Sequence, residues 1–242
     1  ASPRSRRVAM VTETYPPEVN GVAMSMARLV DGLHERHHDV QLVRPRQATA
    51  GAREMRFDEV LTGGCPIPRY PHLRMGLPSK RTLLRLWSLR RPELVHIATE
   101  GPLGWSALQA ARHLKLPVTS DFRTNFHTYG QHYGAGWLAK PILAYLRKFH
   151  NRAQCTMVPT DALRSDLAAR GFLRLHVVGR GVDTRLFDPA RRNAALRRAW
   201  GAGDDDLVLA YVGRLAAEKN LDAVLAAYDA LRVLRGTTKL LF

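Results

Sequence analysis

Apolar residues recur along this chain in two alternating rhythms. Val8-Ala9-Met10-Val11 is a short unbroken apolar run, as expected of a strand buried on both faces. Val22, Met26, Leu29, Val30 and Leu33 then fall at the three- and four-residue spacing of a helix face. Val40 to Val43 returns to a strand pattern. From Pro45 to Pro78 neither rhythm holds; Gly63, Gly64 and several prolines make this stretch read as loop. Thr82 to Leu89 is helical, Leu94 to Ile97 a strand, and Pro102 to Leu114 a helix with proline in its first turn. Val118 to Ser120 and Thr156 to Val158 are short strands around a helix striped by Leu138, Ile142, Leu146 and Phe149. Thr160 caps a further helix that ends near Gly171, and Leu175 to Val178 is one more strand.

The alternation predicts an α/β fold in which a parallel sheet carries helices on both faces. Residues 1–180 read as one near-complete, Rossmann-like doubly wound domain. Residues 181–206 change character: they are rich in Gly, Arg and Asp, with one short helix near Ala194 to Trp200, and read as an interdomain connection. Residues 207–242 begin a second domain, with a strand at Leu207 to Val212, a helix at Leu221 to Leu234 and a strand starting at Lys239. One such unit cannot close a core alone. The expectation is therefore a chain that stops inside its second domain, leaving strand edges exposed.

Composition narrows the function classes. The 242 residues are 45% apolar, which supports a packed core. No apolar run approaches the ~20 residues of a membrane span. The basic opening, Ala1 to Arg7, meets an apolar segment too short for a signal-peptide core, so a cytoplasmic protein is expected. Cys65 and Cys155 lie far apart in no CxxC pattern and read as reduced thiols. The net charge of +16 raises nucleic acid, anionic lipid and phosphorylated ligands as partners. The arginines are scattered, and no helix-turn-helix, RRM, KH or zinc module accompanies them, so nucleic acid is not expected.

Two loops carry candidate chemistry. Glu13 to Val22 leaves a strand and enters a helix, and the amides at such a helix start favour anions. Gly21 there would let a diphosphate approach the backbone. The plain alternative is an Asn-Gly cap and turn. In the second loop, Val212 to Leu221, Arg214 and Lys219 stand five residues apart beyond a strand. Arg214 offers a planar fork and Lys219 a point charge. The plain alternative is an exposed loop with ordinary surface charges.

Together with Glu100-Gly101-Pro102-Leu103-Gly104 and Val178 to Pro189, these loops make the chain resemble GT-B glycosyltransferases of family 4. The likeness is greatest to the α-mannosyl and glycolipid-forming members. It implies a retaining transferase that moves a hexose, with mannose favoured, from GDP-mannose or a UDP-sugar to a lipid or polyol acceptor. It implies that Gly21, Arg214 and Lys219 hold the donor diphosphate between two Rossmann-like domains, with no metal and no further cofactor. Asn20, Glu100 and Thr124 would line the acceptor side of the cleft. Many members carry a His where this chain has Arg123, and His127 follows four residues later. Either could serve as the catalytic or substrate-binding residue.

The family's paired glutamates for the donor have no counterpart here, and Glu218 belongs to the cation loop. The chain alone is thus expected to be inactive. Lys140, Arg147 and Lys148 form a basic arc beside the apolar arc of residues 138–152, which raises peripheral contact with the inner face of a membrane. A domain helix with a solvated basic face is the favoured reading of the same pattern. A non-catalytic Rossmann-like binding module stands as the alternative function, with a basic nucleic-acid-binding protein behind it.

Overall fold

The computed structural model describes residues 4–47, 57–67, 70–123, 139–213, 215, 219–235 and 237–241. They fall into two compact units, the larger running to Arg180 and the smaller starting at Gly181.

The larger unit is built on β1 (Arg7–Val11), α1 (Gly21–Glu35), β2 (Asp39–Pro45), β3 (Asp58–Thr62), β4 (Gly64–Ile67), β5 (Tyr70–Gly76), α2 (Lys80–Leu89) and β6 (Leu94–Ile97). It continues through α3 (Pro102–His113), β7 (Val118–Asp121), α4 (Ala139–His150), β8 (Cys155–Val158), α5 (Asp161–Ala169) and β9 (Leu175–Val177). Seven strands make one sheet in the order β3-β2-β1-β6-β7-β8-β9. Every pairing within it is parallel.

The unbroken apolar run of β1 follows from its central place. Successive side chains point to opposite faces, and both faces are covered. Ala9 and Val11 join Val43, Val95, Ile97 and Val118 under Leu83 and Trp87 of α2, Leu103 and Ala107 of α3 and Phe149 of α4. Val8 and Met10 join Val40 and Leu42 under Met26 and Val30 of α1. A third cluster, with Phe122, Leu146, Val158, Leu167 and Phe172, closes the far side of the sheet. The buried Gln41 in β2 is satisfied on both atoms: it accepts from Trp87 Nε1 at 3.0 Å and donates to Asp58 at 2.8 Å.

The structure corrects the loop reading of Pro45 to Pro78. β3 extends the sheet beside β2, with Gln41 opposite Asp58, and β4 and β5 form an antiparallel hairpin. β3 opens on two acids and is an edge strand, so only half of its pattern is apolar. Pro66 and Pro71 sit in the hairpin, where a missing ladder donor is tolerated. A buried pair also ties β3 in: Arg44 Nε meets Glu59 Oε1 at 2.5 Å.

Helix α4 settles the reading of the basic arc. Ile142, Leu143, Leu146 and Phe149 pack into the core, while Lys140, Arg147 and Lys148 are exposed. The apolar arc from Ile142 to Phe149 is used by the fold; Leu138, at its start, lies outside the described residues.

The smaller unit holds α6 (Ala194–Ala199), β10 (Leu207–Ala210), α7 (Leu221–Arg235) and β11 (Thr238–Leu241). β10 and β11 pair in parallel, as a βαβ unit requires. Val212, Leu215, Val233 and Leu234 are largely exposed, so this unit buries little apolar surface by itself.

One contact limits the packing of α3 on the sheet. A Cβ on Gly104 would stand 2.0 Å from the backbone oxygen of Thr99. Gly104→Ala is expected to cost about 3 kcal/mol through forced separation of α3 from β6. Thermal unfolding should show a fall in Tm of roughly 6–12 °C.

Candidate functional site

The strand order reverses between β1 and β6, which are neighbours although far apart in sequence. Chain leaving β1 goes to one side of the sheet and chain leaving β6 to the other. A crevice opens outside the carboxyl ends of such strands. The segments after β1, β6 and β7 border it, and they carry the described candidates of the larger unit.

The β1 to α1 segment is held by its own side chains. Thr14 Oγ1 donates to Glu18 Oε2 at 2.5 Å and accepts from Asn20 Nδ2 at 2.6 Å. Asn20 Oδ1 accepts from the N–H groups of Val22 and Ala23 at 3.1 and 2.8 Å. Asn20 is therefore the N-cap of α1, and both its polar ends serve the fold. The Gly21 N–H lies outside that cap. Gly21 is exposed, and nothing stands within 4 Å of where its Cβ would be. Neither packing nor a positive φ demands glycine at this position.

Glu13 was missed as an individual residue. Its carboxylate is half-buried and reaches two other elements: it accepts from Leu103 N at 2.9 Å and from Gly76 N at 3.3 Å. Burial pushes its pKa up against the lowering by the N–H donors of Leu103, Gly76 and Gly104, and repulsion from Glu100 adds to the rise. The N-cap of α3 is Gly101, which has no side chain to offer, so Glu13 supplies the cap from a distant strand end. A Cβ on Gly101 would stand 2.2 Å from both Glu13 oxygens.

Glu100 turns inward as well. Its Oε1 lies 3.1 Å from His150 Nε2, and their side chains are 6% and 0% exposed. His150 Nδ1 contacts Ser120 Oγ at 2.9 Å, which contacts Thr156 Oγ1 at 3.0 Å. The Tyr145 hydroxyl donates to the Glu100 carbonyl. Burial, with repulsion from the Glu100 and Glu13 carboxylates, pushes the Tyr145 pKa up to about 12. Helix α4 thus grips the β6 to α3 segment by its backbone and by its side chain.

Arg123 stands just beyond β7. Its Nε and Nη2 both lie 2.5 Å from Asp121 Oδ2. His96 of β6 approaches the same oxygen at 3.4 Å through Nε2, which makes no hydrogen bond, while its Nδ1 contacts Thr119 Oγ1 at 2.9 Å. Burial would raise the Asp121 pKa, but His96 and Arg123 outweigh it and hold the pKa below the ordinary value. Asp121 and Arg123 are two residues apart at a strand end, and alternate strand residues share a face. That spacing was the available sequence signal for the pair. Thr124, His127 and Arg214 lie outside the described residues. Lys219, in the smaller unit, is exposed just ahead of α7. Asn20, Gly21, Glu100 and Arg123 thus stand in segments that follow three adjacent strands, with the Glu100 side chain turned away from the crevice onto His150.

Residues 19–186 match the sequence profile of Glycosyltransferase Family 4. The chain belongs to that family. It is 36% identical over 233 residues to the GDP-mannose-dependent alpha-mannosyltransferase of Mycolicibacterium smegmatis, covering 94% of this chain and 62% of that protein. It is 26% identical to an alpha-monoglucosyldiacylglycerol synthase of Streptococcus pneumoniae, covering 93% of this chain and 53% of that one. The fold is shared with sucrose-phosphate synthase from Thermosynechococcus elongatus at a TM-score of 0.63 and 13% identity, over 98% of this chain and 62% of that one. The chain therefore spans about three-fifths of the mannosyltransferase it matches.

In this family 4 member the fold is of the GT-B class, as its sequence pattern led one to expect. Among the described residues no three His, Cys, Asp or Glu side chains gather as a cation site would need. No described helix is long and apolar enough to cross a membrane.

Two outcomes follow from this geometry. Glu13→Gln turns an amide N–H toward one of the two backbone donors. It should cost about 1–3 kcal/mol, read as a lower urea midpoint at unchanged slope. The ionised form of Asp121 stabilises the fold above its unfolded pKa, and that contribution is lost as pH falls through its lower folded value. Asp121→Asn should therefore show a flatter loss of unfolding free energy than the wild type between about pH 5 and pH 3.

Proposed function

We propose that this chain forms the acceptor side, and the opening part of the donor side, of a retaining, metal-independent hexosyltransferase. The donor is GDP-mannose, in keeping with the mannosyltransferase relative, and the acceptor is a lipid or polyol hydroxyl. The protein works at the cytoplasmic side of a membrane.

One observation carries the reading. Gly21 opens α1 beside the strand-order reversal, with free space where a side chain would be and no demand from the fold for glycine. A glycine kept open there lets the substrate's diphosphate come against the helix start, where amide and dipole favour negative charge.

The chemistry follows from where charge develops. The bond from the anomeric carbon to the diphosphate oxygen breaks, and a bond to the acceptor oxygen forms on the same face of the sugar. Negative charge grows on the departing nucleoside diphosphate. The Gly21 N–H at the start of α1 meets that charge, and Arg214 and Lys219 take the diphosphate-binding role that the family resemblance gives them. Donors of this kind supply the charge stabilisation that a divalent ion supplies in other transferases. Arg123 or His127 serves the sugar and acceptor side, with Asn20 and Thr124 given to the same side by the family resemblance.

The test is mannose transfer by the full-length protein, with GDP-mannose and UDP-glucose offered beside lipid and polyol acceptors in EDTA. Transfer from GDP-mannose is expected, with the α-configuration kept in the product. Gly21→Val should lower kcat/KM by about 100-fold or more without lowering Tm, because nothing of the protein stands within 4 Å of the added Cβ. No turnover of any donor, or a fully active Gly21→Val, overturns the reading.

A further inference from the structure

Arg123 is held unusually firmly for an arginine just beyond a strand end. A guanidinium on a four-bond stem carries about 2 kcal/mol of rotamer entropy. Here Nε and Nη2 converge on one oxygen, Asp121 Oδ2, both at 2.5 Å. The side chains of Asp121 and Arg123 are only 9% and 14% exposed. Behind Asp121 stands His96, at 3.4 Å, and His96 is itself set by Thr119 at 2.9 Å. Thr119 and Asp121 belong to β7 and His96 to β6, which are paired strands in the middle of the sheet. The Arg123 carbonyl also accepts from Arg180 Nη2 at 3.3 Å. Side chain and backbone are thus tied to the larger unit, and the support of the guanidinium is a rigid strand pair.

The clamp uses one edge of the guanidinium and leaves the other. Among the described residues, none accepts from Nη1 or from the second N–H of Nη2. That edge presents two parallel N–H groups, the pattern that matches two oxygens of a phosphate.

We infer that Asp121 is a positioning residue, acting through Arg123: it fixes the guanidinium so that its free edge takes a phosphate group of the substrate. The inference rests on the transferase reading above. Phosphate could come from the donor diphosphate or from a phosphorylated acceptor, and the two are separated by which KM responds. A carboxylate that only stabilised the sheet would act on every background alike. A positioning carboxylate acts only while Arg123 is there to be positioned.

The experiment compares wild type, Asp121→Asn, Arg123→Gln, the double variant and Asp121→Glu in the full-length protein. Asp121→Asn should raise one KM about tenfold, for donor or for acceptor, with a smaller change in kcat. In the Arg123→Gln background the same change should alter kcat/KM less than about twofold. Asp121→Glu, which keeps the charge, should recover part of the loss. Effects of the two single variants that simply multiply overturn the inference.

A second measurement needs no turnover. The Arg123 Nε–H signal in a nitrogen–proton correlation spectrum, identified by its loss in Arg123→Gln, should be sharp in the wild type and shift on titration with inorganic pyrophosphate. In Asp121→Asn it should broaden, and the shift should need about tenfold more pyrophosphate. A wild-type signal already averaged, or one indifferent to pyrophosphate, overturns the inference. If the wild type transfers no sugar while the pyrophosphate shift depends on Asp121, the transferase reading falls and the clamp stands as an anion site.

Discussion

The Glu13 carboxylate is the contact on which the arrangement around the crevice depends. It follows the end of β1, a strand that feeds both core layers, and ends beneath the first turn of α3 and the last residue of β5. A helix start needs partners for its first N–H groups, and Gly101 has no side chain to provide them. Glu13 fills that need, and Gly101 and Gly104 allow the backbone to come close enough for it to do so. One side chain therefore sets the distances among a central strand, a hairpin and a helix. Loss of solvent around the carboxylate raises its pKa against the lowering by the N–H donors it receives.

The neighbouring acid shows how the fold avoids a second such penalty. Glu100 lies close enough to repel Glu13, yet it is matched by His150 at 3.1 Å. His150 is in turn held by Ser120, and Ser120 by Thr156. The chain of contacts crosses from β6 through α4 to β7 and β8. Buried polar groups joined in this way specify one arrangement of the elements, since a shift in any of them leaves a partner unpaired. Tyr145, on the same helix, adds a backbone contact to the Glu100 segment. Helix α4 is fixed to the β6 end even though it follows β7 in the chain.

What the sequence made legible was whatever depends on local pattern. Val8 to Val11 reads as a buried strand because both its faces are covered, so no polar residue interrupts it. Asn20 and Thr160 read as caps because their partners lie two or three residues away. β3 was hidden because an edge strand buries one face and can begin with Asp58 and Glu59. The hairpin was hidden because Pro66 and Pro71 are permitted there and forbidden in the central strands. At the crevice, Gly21 was singled out from its loop, whereas Glu13 passed as one more loop residue. The partner of Glu13 lies 90 residues away at Leu103, and that of Glu100 lies 50 residues away at His150. Periodicity carries no information over such separations. The partner of Asp121 lies only two residues on, at Arg123, yet Asp121 too passed unread.

The acids at the carboxyl edge share one property that bears on function. Glu13 is committed to α3 and β5, Glu18 to Thr14, Glu100 to His150 and Asp121 to Arg123. All four carboxylates are turned into the fold. The groups left over are donors: the Gly21 N–H outside the Asn20 cap, and the free edge of the Arg123 guanidinium. Glu18 Oε1 is buried without a hydrogen-bond partner among the described residues, so what marks this edge is carboxylates turned inward beside open donors, and that suits a ligand that brings negative charge. The overall charge of +16 does not create this property, because its arginines are scattered over the surface and screened beyond roughly 8–10 Å. The local pairing of each carboxylate does, and it would do so in a chain of any net charge.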